Sequence, residues 1–218
     1  MYDLRIITGD AKGRRLISPQ GRQIRPTSDR VKEAMFDILG DKVPDSDVLD
    51  LYAGTGSLGL EAVSRGARRS VFIDINKENL RIVNENIKLL KYEKYCEVYN
   101  NDSFSGLNIL KRRGIRFDII FVDPPYHKGI VPDALQKIAE TSVLKKGGII
   151  VAEHDSRDEV PDISSNLIKH NEALDISSLA ETREGKKVFL QSKNFLLMRY
   201  KSSVYGGTTI SFYKMLEE

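Results

Sequence analysis

Two periods of apolar and polar residues run along this chain, and the switches between them lay out most of its elements. From residue 47 onward, short apolar runs recur between segments of helical spacing. VLDLY (48–52), SVFID (70–74), CEVYN (96–100), FDIIFVD (117–123) and GGIIVAE (147–153) predict five strands. Helices are predicted from the Gly-rich residues after Tyr52 to about Arg65, from Lys77 to Leu90, near 103–112 and near 131–141. This alternation, with two strands almost wholly apolar, predicts an α/β fold: a mostly parallel sheet with helices on both faces. The end of the chain differs. NFLLMRY (194–200) and TTISFYK (208–214), joined by Val204-Tyr205-Gly206-Gly207, leave no room for a crossover helix and predict an antiparallel hairpin at the sheet edge. At the other end, residues 4–18 predict two short strands around a turn from Gly9 to Gly13. Pro26 and a Ser28 cap then open a helix with the stripe Val31, Ala34, Met35, Ile38 and Leu39, which Gly40 ends. The expected organisation is an N-terminal hairpin and helix over 1–45 followed by a sheet domain over 46–218. Residues 155–193 are polar and weakly periodic and yield no assignment.

Composition narrows the class. A chain of 218 residues, 40% hydrophobic and 30% charged, buries roughly 70% of its unfolded surface without disulfides or metals. Cys96 is the single cysteine and the histidines (His127, His154, His170) are scattered, so neither an intramolecular disulfide nor a metal site is expected. MYDLRIITGD lacks the apolar run of a signal peptide, and no stretch approaches the ~20 apolar residues of a membrane span. A cytoplasmic protein without membrane contact is expected. Charge is unevenly spread: residues 1–32 carry eight basic side chains against three acids, a net +5, while the remainder carries −2. Such a head suits a polyanion, with Arg14, Arg15, Arg25 and Arg30 as candidate contacts; the bland alternative is a solvated basic hairpin.

Two loops carry candidate chemistry. The first predicted strand runs into Asp50-Leu-Tyr-Ala53-Gly54-Thr55-Gly56-Ser-Leu-Gly59, where glycines allow a tight turn and close approach to a ligand. The G-x-G-x-x-G string alone is weak evidence for a dinucleotide site. Asp50 separates the readings, since a carboxylate aimed at the ligand repels a pyrophosphate but favours ammonium and sulfonium groups. S-adenosylmethionine has both. Asp74, with Ile75 beside it, ends the second strand where an acid can accept from ribose hydroxyls. Asp102, ahead of Ser103, reads equally as an acceptor for an adenine amine or as a helix N-cap. The sharpest signal is Asp123-Pro124-Pro125-Tyr126 at the end of the fourth strand. Two prolines have no N–H to donate, so the Asp123 carboxylate and the Pro124 carbonyl can both accept from one NH2 group. Tyr126 offers a stacking face for a planar base. Two acceptors on an exocyclic amine draw its nitrogen towards tetrahedral geometry and free its lone pair for attack on a methyl group.

These residues resemble the amino-directed branch of the S-adenosylmethionine-dependent methyltransferases. RIITGDAKGRRL (5–16), IRPTSDRVKEAMFDIL (24–39), LDLYAGTGSLGLEAVSRGA (49–67), DIIFVDPPY (118–126) and YGGTTISFYK (205–214) together are similar to the RsmD family. That resemblance covers about 1–154 and 195–214. It implies a class I methyltransferase fold, Rossmann-like, with seven strands of which the last is antiparallel, and methylation of a guanine N2 in bacterial 16S ribosomal RNA. It also implies S-adenosylmethionine as cofactor, bound by a methyltransferase domain over 46–218, the 16S ribosomal RNA or small ribosomal subunit as partner, the basic segment 1–45 as RNA contact and lid, and Thr27 among the cofactor contacts; a monomer is expected. The connection 155–194 is longer and more polar than the family usually has. Thr55 and Asp74 stand where relatives often show Ser and Glu, which keeps the hydroxyl and the carboxylate.

Two other functions fit parts of the pattern: a DNA adenine N6-methyltransferase, since D-P-P-Y serves both amines, and a catalytically inactive RNA-binding assembly factor. The remaining candidates read as structural. Methylation of an amine needs no strong base, so His127 is not expected in the chemistry. Glu153-His154-Asp155 reads as a solvated strand end, Cys96 as a small core residue, and Tyr205-Gly206-Gly207 as a turn.

Overall fold

The computed structural model describes residues 4–19, 29–125, 129–158, 160, 189–192 and 195–216. Its centre is β1 (Asp47–Asp50), all four residues buried, paired in parallel with β2 (Arg69–Asp74) on one side and β4 (Phe117–Val122) on the other. β3 (Cys96–Asn100) lies outside β2, and β5 (Leu144–Asp155) outside β4. The chain therefore winds from β1 to one edge, crosses back over β1, and continues to the other. The crevice where the winding reverses, between β1 and β4, is where open α/β sheets bind ligands.

Beyond β5 the direction changes. β8 (Thr208–Leu216) pairs antiparallel with both β5 and β7 (Phe195–Tyr205). The seven strands expected are thus present, the last one antiparallel. The turn is tighter than the sequence suggested: Val204 and Tyr205 belong to β7, opposite Thr209 and Thr208, leaving only Gly206-Gly207 to reverse the chain. A short eighth strand, β6 (Phe189–Ser192), pairs with the outside of β7 and so takes the sheet edge. It falls in the tract whose sequence gave no assignment.

Helices cover both faces. α4 (Ser103–Arg112) and α5 (Ile130–Thr141) share one core with Leu49, Val71, Ile120 and Ile150. On the other face, α1 (Asp29–Leu39) and α2 (Ser57–Ser64) pack on Val48, Phe121, Val151 and Phe212, while α3 (Lys77–Leu90) packs on Phe72. No helix among the described residues is long and apolar enough to cross a membrane.

Residues 4–16 form the expected hairpin, with Ile6 N donating to Arg14 O (2.9 Å) and Leu16 N to Leu4 O (2.7 Å) around a single bridge, Arg5 with Arg15. Leu4, Ile6 and Leu16 enter the α2–α3 core. α1 buries a different stripe from the one read in sequence: Val31, Lys32, Met35, Phe36 and Leu39, with Ala34 and Ile38 only partly covered. The rotation is possible because Lys32 is matched. Its Nζ donates to Arg5 O (2.6 Å) and Ser57 Oγ (3.0 Å) and lies 3.4 Å from Glu61, which is also fully buried. Burial, the largest effect, pulls the Lys32 amine down, and Glu61 opposes it. The other Glu61 bonds come from Ile7 N (2.8 Å), Thr8 N (3.0 Å) and Arg65 Nε (2.8 Å). One carboxylate therefore ties the hairpin, α1 and α2 together. Pro26 and Ser28, read as the start of α1, lie outside the described residues.

Candidate active site at the carboxyl end of the sheet

The glycine loop is strung between two strands. After β1, Leu51 N donates to Phe121 O of β4 (3.1 Å) and Ala53 N to Ile73 O of β2 (3.1 Å). Gly54 (φ +53°) and Gly56 (φ +78°) then bend the chain into α2 through backbone conformations that favour glycine. Gly59 is needed for contact: a Cβ there would lie 2.4 Å from the Phe72 ring and 2.6 Å from Ser70 Oγ. Asn86 Nδ2 supports the loop by donating to Thr55 O (3.1 Å).

Two carboxylates brace this loop. Asp50, read in sequence as aimed at a ligand, lies beneath the loop, 1% exposed, and Oδ2 accepts from Gly59 N (3.0 Å). Burial is the main cause pushing its carboxyl up to about 7, with Asp74 adding to the rise and the Gly59 bond opposing it. Asp74 accepts from Gly54 N (2.9 Å) and Asn79 Nδ2 (3.0 Å) at one oxygen and from Asn76 N (2.7 Å) at the other. Beside it Ile75 is 73% exposed, an apolar face at the rim of the loop.

Asp102 caps α4: Oδ1 accepts from Phe104 N (3.1 Å) and Ser105 N (2.9 Å), and the Ser105 bonds hold its carboxyl below the usual range. The cap reading is the one observed. Ser103 Oγ is engaged by the Tyr52 hydroxyl (3.0 Å).

Asp123 and Pro124 follow β4 directly; Pro124 is buried, Asp123 partly buried and Pro125 exposed. Burial, then Glu153, then Asp50 push the Asp123 carboxyl well above the ordinary range. Tyr126 and His127, like Thr27 and Arg25, lie outside the described residues. Glu153, His154 and Asp155 are buried (4%, 5% and 7% exposed), which corrects the reading of a solvated strand end. β5 is covered there by the start of β8, so His154 reaches Ser211 Oγ (3.1 Å) and burial lowers its pKa. Sequence reasoning therefore passed over Glu153, although its place two residues after Val151 put it on the face of Phe121 and Asp123.

The basic head is less uniform than its charge count. Lys32 is sequestered and Arg5 pairs with Asp29 (2.8 Å). Arg14, Arg15 and Arg30 are exposed. Arg14 Nη2 donates to Leu89 O (3.0 Å) in the last turn of α3, roughly 20 Å along that helix from its Asp74 end. Cys96 is partly buried against the α3 core, and burial raises its thiol. Among the described residues no group of His, Cys, Asp or Glu has the form of a metal site.

Known proteins resemble this chain in sequence and in fold. The sequence-family description "Conserved hypothetical protein 95" matches residues 4–183. Ribosomal RNA small subunit methyltransferase D of Escherichia coli is 32% identical over 171 residues, 78% of this chain and 84% of that protein. YlbH of Bacillus subtilis is 39% identical over 165 residues, 76% of this chain and 90% of its own length. The solved structure of Escherichia coli YhhF superposes with a TM-score of 0.72 at 26% identity, covering 99% of both chains. With a family match through most of its length and relatives above 30% identity aligned over most of theirs, the chain belongs to the RsmD family, the small-subunit ribosomal RNA methyltransferases D, built on the class I methyltransferase fold.

Proposed function

We propose that this protein transfers a methyl group from S-adenosylmethionine to the exocyclic N2 amine of a guanine in 16S ribosomal RNA. The family makes it a methyltransferase of ribosomal RNA; the amine and the base are the finer reading. One observation carries that reading: the Asp123-Pro124-Pro125 corner leaves β4 at the same crevice where the glycine loop leaves β1, with Asp50 in register opposite Phe121.

The loop fits the cofactor. A Cβ built at Gly54 meets only Tyr52 O, at 3.9 Å, so the backbone there faces open space. Asp74 and the exposed Ile75 flank it, an acceptor for ribose hydroxyls and an apolar face for adenine, while Asp50 beneath the loop favours cationic groups electrostatically. The cofactor, when bound, supplies an electrophilic sulfonium methyl group. Asp123 and the Pro124 carbonyl each accept one hydrogen of the target amine and turn its lone pair away from conjugation with the ring. Tyr126, next in sequence, is assigned the stacking face. The Asp50 carboxyl keeps Gly59 and the loop in place, and Asp74 fixes Gly54. Arg14, Arg15, Arg25 and Arg30 are assigned to RNA phosphates, with the segment 1–45 as the RNA-facing part.

The test is transfer of tritiated methyl to undermodified small subunits, free small-subunit RNA and plasmid DNA, followed by mass spectrometry of the labelled nucleoside. N2-methylguanosine in RNA is expected. N6-methyladenine in the plasmid establishes the DNA reading, and no transfer to any substrate establishes the inactive factor.

A further inference from the structure

Three acids from three adjacent strands meet at the crevice: Asp50 at the end of β1, Asp123 just past β4 and Glu153 near the end of β5. The register places the last two side by side. Phe121 pairs with Val151 and Val122 with Ala152, so the next step along both strands sets Asp123 against Glu153. Alternation keeps them on one face, since Phe121 and Val151, two residues earlier, share the α1 core. Glu153 is 4% exposed and β8 covers it through the pair with Ile210, so its charge is only weakly screened by water.

We propose that Glu153 is a positioning residue for the reaction: it sets a second negative charge against Asp123 and so makes Asp123 a stronger acceptor for the hydrogens of the target amine. This rests on the functional reading above. In the transfer step the nitrogen lone pair forms the N–C bond while the S–C bond breaks, its electrons remaining on sulfur. The nitrogen then carries one surplus proton, which passes to the Asp123 carboxylate and on to water. A stronger acceptor holds the amine more firmly before transfer and takes the proton more readily after it.

Among the described residues, the charges that raise Asp123 are Glu153 from β5 and Asp50 from β1, and Asp74 of β2 acts on Asp50 in turn. On the helical side, the Lys32 ammonium is matched by Glu61. On the alternate face of β5, His154 is held by Ser211.

The experiment compares wild type with Glu153→Gln, which keeps the shape and removes the charge, and with Glu153→Asp, which keeps the charge. Carbon-13 NMR of Asp-labelled protein without cofactor follows the Asp123 carboxyl, assigned by its loss in Asp123→Asn. Single-turnover methyl transfer across pH follows the acid limb of the rate. The Asp123 midpoint and the acid limb should both move to lower pH in Glu153→Gln, with the plateau rate falling about ten-fold, while Glu153→Asp keeps both near wild type. A midpoint or a limb that stays put in folded Glu153→Gln overturns the proposal, as does an equal displacement in Glu153→Asp. Wild-type protein that transfers no methyl to RNA overturns the functional reading instead, and the NMR titration still decides whether Glu153 governs Asp123.

Discussion

Asp47 and Asp50 stand at the two ends of one four-residue strand, both buried, and their surroundings are opposite. At the amino end, Asp47 is gripped by Arg68 and by Lys145 (2.9 Å), with Arg69 at 3.6 Å, and Lys145 also bonds Asp118 (2.7 Å). Burial pushes the Asp47 carboxyl up, but the Arg68 and Lys145 hydrogen bonds and charges outweigh it and leave it below its ordinary value. At the carboxyl end, burial drives the Asp50 carboxyl up to about 7, with the Gly59 N–H opposing the rise and Asp74 adding to it. The first end is closed electrostatically. Among the described residues no cation acts on the second, and acidity held in that way is a feature of ligand sites more than of structural ion networks.

The comparison can be broken at several points, and the largest effect belongs to Asp123. Asp123→Ala should slow single-turnover methyl transfer at least about 100-fold while S-adenosylmethionine binding by calorimetry stays near normal. A wild-type rate removes the motif from the chemistry.

Next is the pH dependence of stability. A carboxyl whose folded pKa lies above its unfolded value stabilises below the unfolded value and loses that contribution as pH rises through the folded one. For Asp50 the window runs from about 4 to about 7. Asp50→Asn should remove this dependence, so wild type should lose roughly 2–3 kcal/mol relative to the variant between pH 5 and pH 8. Urea melts at the two pH values measure it, and parallel behaviour would show that Asp50 is not held up by burial.

Asp47→Ala should do the reverse: a loss of about 2 kcal/mol at neutral pH, moderated because Arg68 and Lys145 are partly in water, with methyl transfer per folded molecule unchanged. The smallest effect concerns the head. If Arg14 and Arg15 meet phosphates, neutralising both should flatten the slope of log RNA affinity against log salt by roughly 1.5. An unchanged slope would leave them as hairpin residues only.

Much of this was legible because local signals dominate where elements begin and end. α3, β3 and α4 match their sequence bounds: Asn76 and Asp102 cap the two helices, and Lys91 ends α3 in the left-handed conformation. Where the deciding partner is distant, the pattern misled. Leu51 and Tyr52 look like strand, but the sheet ends at Asp50 because Ala53 must reach across to Ile73. Lys32 looks like surface, yet Glu61, 29 positions on, makes it core. β6 is a strand because β7 offers it an edge, not because its own tract has the period. At the carboxyl end of the sheet, the two loops and the acids Asp50, Asp74 and Asp123 lie at the strand ends where the sequence placed them. That Asp50 turns inward and that Glu153 is buried beside the end of β4 was not legible, since both depend on strand register.

The Glu61 tie also orders assembly in time. The hairpin's partners come later in the chain: Glu61 for Ile7 and Thr8, Ser64 for Thr8 and Ala11, Asn86 for Ile17, and the Tyr92 hydroxyl for Asp10. At synthesis rates of about 5–20 residues per second, residues 4–17 precede the last of these by roughly 4–15 s. The head is thus made before every one of these partners and docks only onto a nascent α2–α3 layer. Pulse proteolysis of ribosome-stalled chains should show residues 4–17 cleaved when synthesis halts near residue 70 with that stretch free of the exit tunnel. They should be protected once α3 and β4 have emerged, and protection in the shorter chain would mean that the hairpin holds itself together without Asn86 and Tyr92.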